Sequence, residues 1–226
     1  MSSPFRDPRI LDGEKSIYSV RVGRNPSTSQ LTSVIEHDNG AYVAYLESGS
    51  KDSFGIKVEQ RFLRENGHIM IDSYRAESRF KDRVVSREEG FFTGTEHIPF
   101  GGELAPYPRG VMPLLGGLTL LRGMDFTRGA KLKLDFWMMF SITWPIEARV
   151  EKRTTLNVEA GQFDTWQVNI RPSFSHISGL LDKVVAGFLP PFTAHFDTAD
   201  THRMIRFSFP SGPLPSHPKC VLELTA

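Results

Sequence analysis

The chain has 226 residues, 27 Lys+Arg against 26 Asp+Glu for a formal charge of +1, and 39% hydrophobic residues. That length buries a substantial core and suits one all-β unit, while the balanced charge, with no basic block interleaved with aromatics, excludes a nucleic-acid track. No apolar run is long enough to cross a bilayer as a helix, and the single cysteine, Cys220, excludes an internal disulfide and a cysteine-rich metal site.

The opening MSSPFRDPRILDG carries no basic segment followed by an apolar one. Residues 1–13 read as a flexible N-terminal segment of a single domain over 1–226. As it stands the chain reads as cytoplasmic, or as periplasmic if a signal peptide was removed.

From Glu14 onward short β-like runs recur between turn signals, the pattern of an antiparallel meander. Tyr18, Val20 and Val22 alternate with Ser19 and Arg21, and Asp38-Asn39-Gly40 turns one strand back on the next. Ile56, Val58 and Gln60 lead to a second hairpin turn at Glu65-Asn66-Gly67. Residues 79–88 read as one strand with a solvated face ending at Glu89-Gly90. Val111, Leu114, Leu115, Leu118 and Leu121 fall at helical spacings between Pro108 and Gly123, so a short helix or helical turn is expected on the sheet. Residues 131–144 read as one long strand, buried at its far end.

The run 149–172, RVEKRTTLNVEAGQFDTWQVNIRP, reads as two amphipathic strands joined by a tight turn, with Gly161 taking a positive φ or a closely approached turn position. In 176–188, Ile177, Leu180, Leu181, Val184, Val185 and Phe188 form a helical apolar stripe closed by Pro190-Pro191. Three further strands are expected, over 192–198, 203–209 and 220–224.

Several segments resemble the bacterial domain family of unknown function DUF3108: YSVRV at 18–22, LLRGMDFTRG at 120–129, VEAGQFDTWQV at 158–168, and RMIRFSFPSGPLP at 203–215 with its LEL end at 222–224. The resemblance implies a mainly β fold, a strongly curved antiparallel sheet or half-barrel wrapped around one or two short helices, similar to lipoprotein-carrier half-barrels. It implies no known active site. Members of that family are often exported.

A concave sheet of this kind can enclose an apolar cavity. Trp137, Phe140, Trp144, Trp166 and Arg171, with Leu118 and Arg122 from the leucine-rich segment, are the candidate ligand-binding residues. Binding of a hydrophobic or amphipathic small molecule without a cofactor is the leading functional expectation. A cofactor-free cyclase or isomerase in the same cavity is the competing one, with Asp135 and His195 as the acid/base candidates, since a carboxylate among aromatics has a raised pKa. A structural or interaction protein without a ligand is the third. No nucleophile elbow, phosphate loop or H-E-x-x-H motif occurs. His195, Asp197, Asp200 and His202 read as polar residues at a hairpin end rather than as a two-histidine, one-carboxylate metal set. Oligomeric state is not legible.

Overall fold

In the computed structural model the described residues are 3–24, 29–49, 54–81, 83–98, 103–113, 115–139, 142–173, 192–211 and 217–226. In chain order they form β1 (Phe5–Arg6), β2 (Glu14–Val22), β3 (Ser29–Asp38), β4 (Ala41–Ser48), β5 (Phe54–Glu65), β6 (His68–Phe80), β7 (Arg83–Phe91), β8 (Glu96–His97), β9 (Ala105–Pro106), β10 (Val111–Pro113), α1 (Leu118–Leu121), β11 (Lys131–Met139), β12 (Ile142–Val158), β13 (Gly161–Pro172), β14 (Phe192–Asp197), β15 (Met204–Pro210) and β16 (Lys219–Leu224). One sheet runs β1-β6-β5-β4-β3-β2-β16-β15-β14-β13-β12-β11-β10, with β7 also on β6 and a separate β8–β9 pair. Among the described residues only β10–β11 is parallel. The fold is thus mainly antiparallel β, a curved open sheet around one helical turn.

The hairpins follow from their turn residues. Asn39-Gly40 (φ 48° and 78°) and Asn66-Gly67 (51° and 75°) occupy the left-handed region, the geometry whose twist matches that of the flanking strands. At the β12–β13 turn Val158 pairs with Gly161, whose φ is 131°. A Cβ there meets only ordinary contact, 3.8 Å from Phe163, so backbone strain alone sets the cost of substitution. Gly161→Val is expected to destabilise by about 1–3 kcal/mol. An unchanged urea midpoint would refute the strain argument.

Three sequence expectations are revised. Residues 131–144 are not one strand: the chain reverses between Met139 and Ile142, and Phe136 pairs with Trp144 across the hairpin. No Gly, Asn or Pro marks the break, and Ser141 is the lone polar residue between Trp137 and Ile142. Residues 79–88 likewise divide between β6 and β7, because Lys81, at φ 50°, turns the chain.

The N-terminal segment, expected to be flexible, is fixed over residues 3–13. Phe5 pairs with Ile69, and Phe5 and Ile10 are fully buried. The Tyr42 hydroxyl donates to Asp7 (2.6 Å) and accepts from the Ile10 N–H (3.1 Å), while Arg64 donates to Asp7 (2.9 Å). Two apolar anchors and a buried polar latch outweigh the local turn-like composition. Of the expected helices, only the turn at Leu118–Leu121 forms within 108–123, where Val111 instead enters β10; residues 176–188 lie outside the described residues.

Among the described residues the two ends of the sheet share no ladder, and side chains bridge the seam instead. Trp137 of β11 packs edge-on against Tyr74 of β6 (5.3 Å between ring centroids) and Phe92 (5.4 Å). The curl brings the inner faces of β2–β5 and β12–β16 around one space.

Candidate functional site

That space is a cavity of about 570 Å³, within the range of small-molecule sites. Strand alternation builds its wall: Glu14, Ser16, Tyr18 and Val20 of β2 face it, as do Leu31, Ser33 and Ile35 of β3. Its two ends differ. At one, Glu14 and Ser16 meet Thr119 and Arg122, carried by α1 and the residue after it. At the other, Trp144, Phe192, Phe207 and Phe209 form an aromatic rim, with Phe207 stacked on Phe209 at 5.1 Å.

The polar end is tightly bonded. Arg122 is 4% exposed, and its two terminal nitrogens donate to the two Glu14 carboxylate oxygens at 2.6 and 2.9 Å. Its Nε donates to the Thr201 carbonyl at 2.7 Å. The Tyr18 hydroxyl donates to the Met204 carbonyl at 3.1 Å, and burial pushes its pKa up. Cys220 also lines the wall, and burial holds its thiol above its ordinary pKa, the setting of an unreactive thiol.

Of the candidate ligand residues, Leu118, Arg122, Trp144 and Arg171 line the cavity. Arg171 is 45% exposed and lies 3.4 Å from Glu147. Trp137 is spent on the seam. Trp166 packs on the core under the Arg153 guanidinium, 4.5 Å from its ring centroid. Phe140 lies outside the described residues.

Asp135 and His195 are not brought together. β12 and β13 separate their strands, and each alternates with cavity-lining neighbours, Phe136 and Phe192 respectively, so each lies on the outer face. Burial raises the Asp135 pKa against a smaller opposing effect of His97.

Burial, then Arg206 and Lys152, lower the His195 pKa from 6.5 to about 4, and its Nδ1 is buried without a hydrogen-bond partner among the described residues. Between these values the unfolded chain binds the proton and the folded one does not, so stability is full above about pH 6.5 and falls as pH drops toward 4. His195→Gln is expected to flatten the urea midpoint over that window; an unaltered slope would exclude His195 as its source.

Near the adjoining turn, His202 Nδ1 lies 2.9 Å from the Asp197 carbonyl oxygen and its ring rests on Phe126. Among the described residues no group of three or more His, Cys, Asp or Glu is placed to hold a metal.

The sequence reading missed Glu14, Ser16 and Ser33. Their alternation with outward residues was the available signal, but the Glu14–Arg122 pairing spans 108 positions and leaves no local trace.

No family model matches the chain, and no curated protein matches it; membership of DUF3108 specifically is not supported. Among solved structures, the chain is similar to a β-barrel-like protein of the domain of unknown function DUF1849 from Brucella abortus, with TM-score 0.51, 10% identity, and 95% of this chain and 96% of that one covered. A protein with a YmcC-like fold from Bacteroides fragilis aligns over 100% of this chain and 98% of its own at TM-score 0.32 and 10% identity. Among the described residues no helix is long and apolar enough to cross a membrane. The likeness to the Brucella protein shows a β-barrel-like fold shared with a bacterial protein of unknown function.

Proposed function

We propose that the protein binds a hydrophobic or amphipathic small molecule inside the curved sheet. The observation that carries this reading is the cavity of about 570 Å³ whose wall is predominantly Leu, Ile, Val, Phe and Trp. A well-packed core leaves few voids larger than a water molecule, and apolar walls of this extent gain by excluding water in favour of an apolar guest. Leu118, Trp144 and the aromatic rim supply contact surface. The acid/base reading gains no support from this geometry, because Asp135 and His195 face away from the cavity.

The test is titration with an environment-sensitive lipophilic fluorophore. Wild type is expected to bind it at a ratio of one per chain. Ser33→Trp places an indole in the cavity from a wall position and should abolish binding while leaving the unfolding midpoint close to wild type. Equal probe binding by both proteins would locate the probe elsewhere.

A further inference from the structure

The cavity reading above is the premise here, and the polar end of the cavity names the ligand more closely. We propose that the ligand is an uncharged apolar molecule whose hydroxyl-class polar end sits against Glu14, Thr119 and Arg122, in preference to a carboxylate of the fatty-acid type or an alkylammonium.

Polarity sets the orientation. Ser33 and Thr119 face the cavity, and among the described residues neither hydroxyl has a hydrogen-bond partner. A bare hydrocarbon end pressed against them would strip their water and return no hydrogen bond. A ligand hydroxyl both donates and accepts, which suits a neighbourhood of hydroxyls and a carboxylate with lone pairs to spare.

Charge sets the class. Glu14, Arg122 and Arg171 are the charged residues in the described lining. Glu14 and Arg122 neutralise each other through the bonds of 2.6 and 2.9 Å, and the Arg122 Nε is engaged by Thr201. A ligand carboxylate arriving there would be a second anion beside one buried guanidinium, and an ammonium a second cation beside one carboxylate. Either leaves an uncompensated charge out of water, whereas a hydroxyl leaves none. Arg171 offers a carboxylate no remedy at that end, because it lies near the end of β13, beside the aromatic rim, and already neighbours Glu147. Along β2 the lining runs from Glu14 to Val20, six residue steps or about 20 Å at roughly 3.3 Å each, enough for a medium-length chain lying along the strand.

The experiment is calorimetric titration of the full chain at neutral pH with decanol, decanoate and decylammonium, each below its aggregation limit. Decanol is expected to bind about 10-fold or more tightly than either ion. Glu14→Gln removes the compensating anion, so decanoate affinity should rise by about 10-fold or more relative to that of decanol. Since leaving Arg122 unpartnered also strains folding, Glu14→Gln/Arg122→Met provides a neutral polar end in a pair-free protein and must retain the wild-type order. Decanoate binding wild type as well as decanol does would overturn the proposal, as would a Glu14→Gln protein, folded by circular dichroism, with decanoate affinity unchanged relative to that of decanol. If none of the three binds and the fluorophore also fails, the cavity reading falls with it; if the fluorophore binds and none of the three does, only the ligand class is wrong.

Discussion

Arg122→Met alone is expected to destabilise the protein by about 3–5 kcal/mol, the cost of leaving one member of a buried ion pair without its partner. Arg122 is 4% and Glu14 14% exposed, so water cannot readily take over when the guanidinium is removed, and the Thr201 carbonyl loses its donor as well. Replacing both members is a different experiment. Glu14→Gln/Arg122→Met keeps approximate volume and removes both charges, so most of the lost stability should return, because buried pairs contribute little net beyond a well-packed neutral substitute. Urea unfolding of wild type, both singles and the double gives the coupling directly. Additive losses would mean that the two residues act independently, contrary to the bidentate geometry.

Phe196→Ala is expected to cost a similar amount, about 3–5 kcal/mol, through lost burial and the cavity left behind. Phe196 is fully buried and meets Phe126 edge-to-face at 5.5 Å, and Phe126 in turn carries His202 at 4.1 Å. His202 belongs to the turn that presents Thr201 to Arg122. Loosening this aromatic stack should therefore do more than destabilise: probe affinity should fall too, even where the protein remains folded. Phe196→Leu, which refills much of the volume, should recover stability more fully than Phe196→Ala. A Phe196→Ala protein with a wild-type unfolding midpoint would contradict the packing described.

The parts of the fold that were legible in the sequence are those with local causes. Asn39-Gly40, Asn66-Gly67 and Gly161 announce their turns because few residues other than glycine and asparagine tolerate positive φ. Period-2 alternation then assigned a face to Tyr18 and Val20. Where no local signal exists, the reading failed. The reversal before Ile142 carries no Gly, Asn or Pro signal, Lys81 turns the chain without a glycine, and Phe5 and Ile10 are held by residues more than thirty positions away.

The candidate site divides in the same way. Arg122 stands out in the sequence by its position after a leucine stripe, yet its partner Glu14 is visible only once β2 and the segment after α1 meet in space. Trp137 and Trp166 stand out in the sequence as large aromatics on central strands, and large aromatics serve equally to close a seam or cover a core edge. Strand neighbours alone do not reveal which space a ring enters; that depends on how far the sheet curls.

The central claim, an apolar guest inside the curved sheet, is tested most directly by native mass spectrometry of the purified chain. The account predicts a population heavier than the polypeptide by one small molecule, lost on denaturation and absent from Ser33→Trp, with the released compound extracting into organic solvent. A chain that carries no adduct as purified and acquires none after incubation with either the lipophilic fluorophore or decanol would contradict it.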